Sequence, residues 1–115
     1  MRLKSAVWVS AYLRRCQVEG AFAVVRRRGA EEAGAVFVKV SRFGATPEIF
    51  GPAPQSAFDE GTPSDRAFVR CIAAEKSTDE AIDAYLGREM RFDPDVWIVE
   101  VEDREGRNFL DRIVT

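Results

Sequence analysis

The 115-residue chain contains no histidine. Its absence removes the commonest general base near neutral pH and the commonest transition-metal ligand. Serine–histidine and cysteine–histidine nucleophiles are excluded with it. Cysteine is nearly absent too: Cys16 and Cys71 stand far apart, each within an apolar pattern. They match no metal-binding spacing and read as small buried hydrophobes of a cytoplasmic, reduced protein. No apolar run approaches the length of a membrane span. Arg14 and Arg15 interrupt the apolar stretch near the N-terminus and no small-residue cleavage site follows, so no secretory leader is expected. Gly51-Pro-Ala-Pro54 lacks the glycine-rich pattern of a phosphate loop, and no cofactor is expected.

What is present is an ordinary globular mixture, 46% hydrophobic and 31% charged, with a net charge of −2. One domain spanning residues 1–115 fits this length. The charge is unevenly spread. Residues 1–44 carry nine Lys/Arg against three Asp/Glu, net +6, and residues 45–115 carry eight against sixteen, net −8. Either the halves intermix in space, or the N-terminal half forms a basic face.

Periodicity predicts a helix over 5–19, with Val9, Leu13 and Cys16 on one face and Ser5 and Gly20 as its caps, while the β-branched Val7 and Val9 also allow a short strand at its start. Residues 22–28 are β-prone, and 35–43 alternate, with Val36, Val38 and Val40 opposite Phe37, Lys39 and Ser41. The glycine-bounded segment 29–34 between them predicts a β-hairpin. A short third strand is expected over 47–50, broken by Gly51-Pro-Ala-Pro54, which opens a polar loop running to Asp65. Residues 66–73 read as a strand. Ser77-Thr-Asp-Glu80 reads as a capping box for a helix whose apolar face holds Ala81, Ile82, Tyr85, Leu86 and Met90. Asp93-Pro94 turns the chain into a last clear strand over 95–102, with Trp97, Val99 and Val101 on one face and Val96, Ile98, Glu100 and Glu102 on the other. Residues 108–114 read as a short return strand or a helical turn. The expected fold is α+β: a mostly antiparallel sheet of about five strands, packed with two helices that cover one face.

Several segments carry a resemblance: Trp8-Val-Ser-Ala-Tyr-Leu-Arg-Arg15, Gly51-Pro-Ala-Pro-Gln55, Arg91-Phe-Asp-Pro-Asp-Val-Trp97, Val99-Glu-Val-Glu-Asp-Arg104 and Gly106-Arg-Asn-Phe-Leu-Asp111. Together they resemble the alphaproteobacterial domain-of-unknown-function 1491 family over nearly the whole chain. The Arg-Phe-Asp-Pro-Asp segment is the most specific part. That family often has a histidine where this chain has Asn108, so no chemistry needing that imidazole carries over. The resemblance implies a bacterial cytoplasmic setting and no particular activity.

Three groups of residues could carry chemistry. Asp93, Asp95, Glu100, Glu102 and Asp103 are acidic, and Asp93, Glu100 and Glu102 are candidate ligands for Mg²⁺ or Mn²⁺, which prefer oxygen donors. Against this, a solvated strand end explains the same acids, and no lysine follows Lys76 to complete a nuclease-like set. Arg14, Arg15, Arg26, Arg27, Arg28, Lys39 and Arg42, beside Trp8, Tyr12 and Phe43, could hold a nucleic-acid backbone. Along a regular strand Arg26 and Arg28 would share a face that Arg27 does not. Pairing with Glu31, Glu32 and Glu48 is the plainer explanation. At the helix exit Arg88, Arg91, Asp93, Asp95 and Trp97 form either a structural latch or an anion- or substrate-binding corner.

The reading favoured is a small cytoplasmic, non-catalytic interaction or regulatory protein. Its partner would be another protein or a second copy, with the sheet edges and the 51–65 loop as contact regions. A metal-dependent enzyme using the acidic strand and a nucleic-acid-binding module are the alternatives.

Overall fold

A computed structural model describes residues 3–54 and 66–114. Along the chain run α1 (Ser5–Val18), β1 (Phe22–Arg27), β2 (Val36–Ser41), β3 (Glu48–Pro52), β4 (Phe68–Arg70), a 3-10 turn (Ala74–Lys76), α2 (Asp79–Phe92) and β5 (Trp97–Glu102). The five strands form one sheet in the order β1-β5-β2-β3-β4. The expected α+β domain with two helices and a mostly antiparallel sheet is what the chain forms. β3 continues through Gly51 and Pro52, two residues beyond the predicted break. The contact region predicted for the 51–65 loop lies, from residue 55 onward, outside the described residues.

The expected hairpin does not form. β5 inserts between β1 and β2, antiparallel to β1 and parallel to β2. β3 is antiparallel to both β2 and β4, so β4 and β5 run the same way and α2 is the crossover between them. The insertion follows from burial. Val96, Trp97, Ile98 and Val99 are all buried, so this segment is apolar on both faces and needs a central position. β1 alternates poorly, with Phe22 and Val25 exposed, and stays at the edge.

The two helices lie on opposite faces rather than on one. On the first face, Val9, Tyr12 and Cys16 of α1 pack on Val36, Val38, Val40, Trp97, Val99 and Val101. On the second, Ile82 and Leu86 of α2 pack on Phe37, Ile49, Val96 and Ile98. The two-residue strand period therefore serves two cores, and burying a side chain such as Ile82 contributes about 2 kcal/mol.

Both helix starts differ from expectation by one residue. Ser5 is inside α1, not its cap. Its amide and that of Ala6 donate to the carbonyls of Glu32 and Glu31, at 3.0 and 2.9 Å, so the orphan donors of the first turn need no side-chain cap. Ser5 Oγ instead donates to Gly34 O at 2.5 Å and accepts from the buried Arg66. At α2 the cap is Thr78, whose hydroxyl accepts from Ala81 N at 3.0 Å. Ser77 is buried and its hydroxyl donates to Pro47 O at 2.6 Å, which removes it from capping. Gly20 fulfils its expected role after α1, with φ +90°.

Candidate functional site

β5 presents Glu100 towards the α2 face, where it meets Arg26 of β1 at 2.6 Å. Lys39 of β2 lies beside Glu100 in the parallel register, and its ammonium reaches Asp79 at the start of α2 at 2.8 Å. Arg26, Glu100, Lys39 and Asp79 thus alternate in sign across three strands and a helix. The lysine missing downstream of Lys76 is supplied from β2, a neighbour that a β1–β2 hairpin would have hidden. Glu102 is exposed at the strand end, opposite Ser41 and Phe22.

Asp103 turns inward and is nearly inaccessible. Its carboxylate accepts from Arg107 Nε and Nη2 and from the amides of Glu105 and Arg107, at 2.9–3.1 Å. The Arg107 guanidinium, ahead of those amides, lowers its pKa to about 2. Asp93 lies before β5 begins and its Oδ1 accepts from Asp95 N at 3.0 Å. A six-residue strand rises about 20 Å end to end, so Asp93 and Glu102 stand far beyond the reach of one ion. Among the described residues no three of Cys, Asp and Glu come together as a metal site.

The helix exit is built as a joint. Trp97 is 1% exposed, and its indole N–H donates to Ala30 O at 2.7 Å. Ala30 N donates to Asp95 O at 2.9 Å. A Cβ on Gly29 or Gly34 would lie 2.2 or 2.3 Å from that same Asp95 oxygen, so only glycine allows the 29–34 segment this approach. The Arg28 guanidinium lies 5.0 Å from the Trp97 ring centre and that of Arg88 6.0 Å from Tyr85. Among the described residues no ion pair joins Arg88 or Arg91 to Asp93 or Asp95. The five predicted corner residues are neighbours in sequence, but Trp97 enters the first core and Arg88 turns to Tyr85.

Three of the seven candidate basic residues of the N-terminal half are met by acids of the C-terminal half: Arg15 by Asp111, Arg26 by Glu100, Lys39 by Asp79. Glu32 and Glu48 pair instead with Lys4 and Arg70. The two halves therefore intermix. One feature was not visible in the sequence: a cleft of about 440 Å³ between α2 and the β3–β4 edge, lined by Phe37, Arg70, Cys71, Tyr85, Glu89 and Asp93. Burial, and then the Glu89 carboxylate, raise the Cys71 thiol, outweighing the Tyr85 hydrogen bond. This cysteine is held as a thiol, not a thiolate nucleophile.

The two sheet edges are finished differently. At β4, Phe68 N donates to Arg112 O at 3.0 Å and Val114 N to Phe68 O at 2.7 Å, so the C-terminal tail covers that edge. No described residue pairs with the outer edge of β1. Phe22 there is 61% exposed, and Val18, at the end of α1, is 76% exposed. An uncovered strand edge is a template for a further strand.

These features define a small α+β domain with a helix on each face and one open edge. The chain belongs to the family described as protein of unknown function (DUF1491), whose profile matches residues 3–111. A crystal structure of a DUF1491 family protein from Caulobacter crescentus CB15 is 38% identical, with TM-score 0.82, covering 100% of both chains. An NMR structure of a DUF1491 family protein from the same organism is 37% identical, with TM-score 0.82, covering 100% of this chain and 99% of that one. The solution structure of protein Atu0922 from A. tumefaciens is 44% identical, with TM-score 0.75, covering 90% of this chain and 87% of that one. No curated protein matches.

Proposed function

We propose that this protein is a non-catalytic interaction module that works as a homodimer, joined by antiparallel pairing of β1 with β1 of a second copy. The observation that carries the reading is the asymmetry of the edges: the tail covers β4, while β1 is left open with Phe22 and Val25 beside it. A second copy fits because the edge is self-complementary. Arg28 stands at one end of β1, and Glu19 and the exposed Glu102 at the other. Antiparallel pairing sets the basic end of each strand against the acidic end of its partner, as an isologous interface requires. The two free thiols support a cytoplasmic setting.

Sedimentation velocity over a concentration series tests this. The wild type is expected to shift from monomer to dimer as concentration rises. Phe22→Asp and Val25→Asp, both at exposed positions, are expected to stay monomeric with unchanged circular dichroism. A wild type that remains monomeric at its highest soluble concentration overturns the reading.

A further inference from the structure

β1 is not regular. Its register with β5 slips between Val25 and Arg27, so that Val25 faces Val99 while Arg27 faces Ile98. The bulge leaves Arg26 as the extra residue and breaks the alternation that would put consecutive side chains on opposite faces. Arg26 and Arg27 consequently line the same cavity, a space of about 350 Å³ against α2. Its apolar wall is Leu86, Met90 and Ile98, and Asp83 stands at its side. Arg28 lies on the other face, over Trp97. The arrangement reverses the expectation that Arg26 and Arg28 share a face.

The two arginines are not equivalent. Arg26 is neutralised by Glu100 at 2.6 Å and lies in the field of Asp83. Arg27 donates Nη2 to Pro94 O at 2.9 Å, and among the described residues it enters no ion pair. Its Nε–H is shielded from solvent and meets no hydrogen-bond partner. That N–H is closed off from the cavity, but the guanidinium charge of Arg27 on the cavity wall has no carboxylate partner among the described residues, and an anion in the cavity would supply one. Guanidinium groups match carboxylates in geometry. The neighbouring carboxylates of Asp83 and Glu100 offset the two guanidinium charges, so multiply charged anions are repelled and the anion that fits is a monoanion held on Arg27. The apolar wall would hold a hydrocarbon tail, and the volume is that of a small-ligand pocket.

We propose that this cavity is a binding site for an organic monocarboxylate with a short apolar tail, its carboxylate on Arg27 and its tail against Leu86, Met90 and Ile98. The chemistry is shared by a free carboxylic acid and by the C-terminus of a peptide ending in an aliphatic residue. The site does not depend on dimerisation.

The test is an NMR titration of the full-length protein with hexanoate, with hexan-1-ol and acetate as controls. Hexanoate is expected to move the amide signals of Arg26, Arg27, Leu86, Met90 and Ile98 saturably. The alcohol, lacking the charge, and acetate, lacking the tail, are each expected to bind about tenfold more weakly or worse, as loss of a charge-assisted contact or of a few buried methylenes requires. Arg27→Gln is expected to bring hexanoate down to the alcohol's affinity. Should that variant not fold, the acid–alcohol comparison on the wild type decides alone. An acetylated tripeptide ending in leucine, as free acid and as amide, separates the sources. Tighter binding than hexanoate by the acid alone assigns a chain terminus, and weaker binding assigns a free acid. Equal affinity for hexanoate and hexanol, or shifts confined to other residues, overturns the proposal.

Discussion

Lys39 and Glu100 stand side by side on the parallel strands β2 and β5, and each is held by a partner of opposite charge, Asp79 and Arg26 respectively. Lys39 is only 7% exposed, so its four-carbon stem is packed while its ammonium reaches the rim of α2. A row of charges spanning three strands and a helix ties the crossover helix to the centre of the sheet.

Replacing Lys39 separates packing from charge. Lys39→Ala is expected to cost about 1–2 kcal/mol, from lost burial of the stem. Lys39→Met keeps that volume, and Asp79 is exposed enough to be hydrated, so it is expected to cost less than half as much. Urea unfolding midpoints of the two variants check this; equal losses would show that the ion pair dominates.

Asp103 makes stability depend on pH at the acid end. Its folded pKa, about 2, lies below the roughly 3.9 of an unfolded aspartate. The folded state therefore binds fewer protons, and the stabilisation is complete above about pH 4 and lost as pH falls towards 2. Asp103→Asn is expected to remove that part of the acid dependence and lower stability by about 1–3 kcal/mol through the weakened Arg107 and amide contacts. Unfolding followed at pH 2.5, 4 and 7 measures both.

Gly34→Ala tests the joint at the start of β5. Its Cβ would meet Asp95 O at 2.3 Å and the Trp97 ring at 2.9 Å. Backbone cannot yield there without disturbing the Trp97–Ala30 bond, and a loss of at least about 2 kcal/mol is expected. Trp97 fluorescence during thermal unfolding reports it.

The thiols give a reactivity prediction. Cys16 is fully buried and Cys71 partly so, and burial raises both. Near neutral pH, Cys71 is expected to react with a disulfide reagent more slowly than free cysteine, and Cys16 only on unfolding. The time course of thiol release in the native protein distinguishes them.

Much of the fold was legible because α1, α2, β2 and β5 carry strong periodicity. Strand order was not. The glycines at 29 and 34 invite a hairpin, whereas their actual role is to admit Asp95 and Trp97 at close range. The usable signal was the doubly apolar run from Val96 to Val99, which demands a central strand and, through the crossover, a helix on each face. Among candidate site residues, Glu100 and Glu102 were correctly placed on a strand, but their neighbours Arg26, Ser41 and Lys39 come from pairings that no local pattern encodes. The bulge that turns Arg26 and Arg27 together arises from the β1–β5 register and leaves no mark in the sequence Val24-Val-Arg-Arg-Arg28.

The claim that the open β1 edge is a self-association site is tested most directly by amide hydrogen exchange of the wild-type protein across a concentration series. Protection of the outward-facing β1 amides is expected to rise with protein concentration, while the tail-covered β4 amide of Phe68 exchanges at a constant rate. Exchange at β1 that is the same at every concentration would contradict the account.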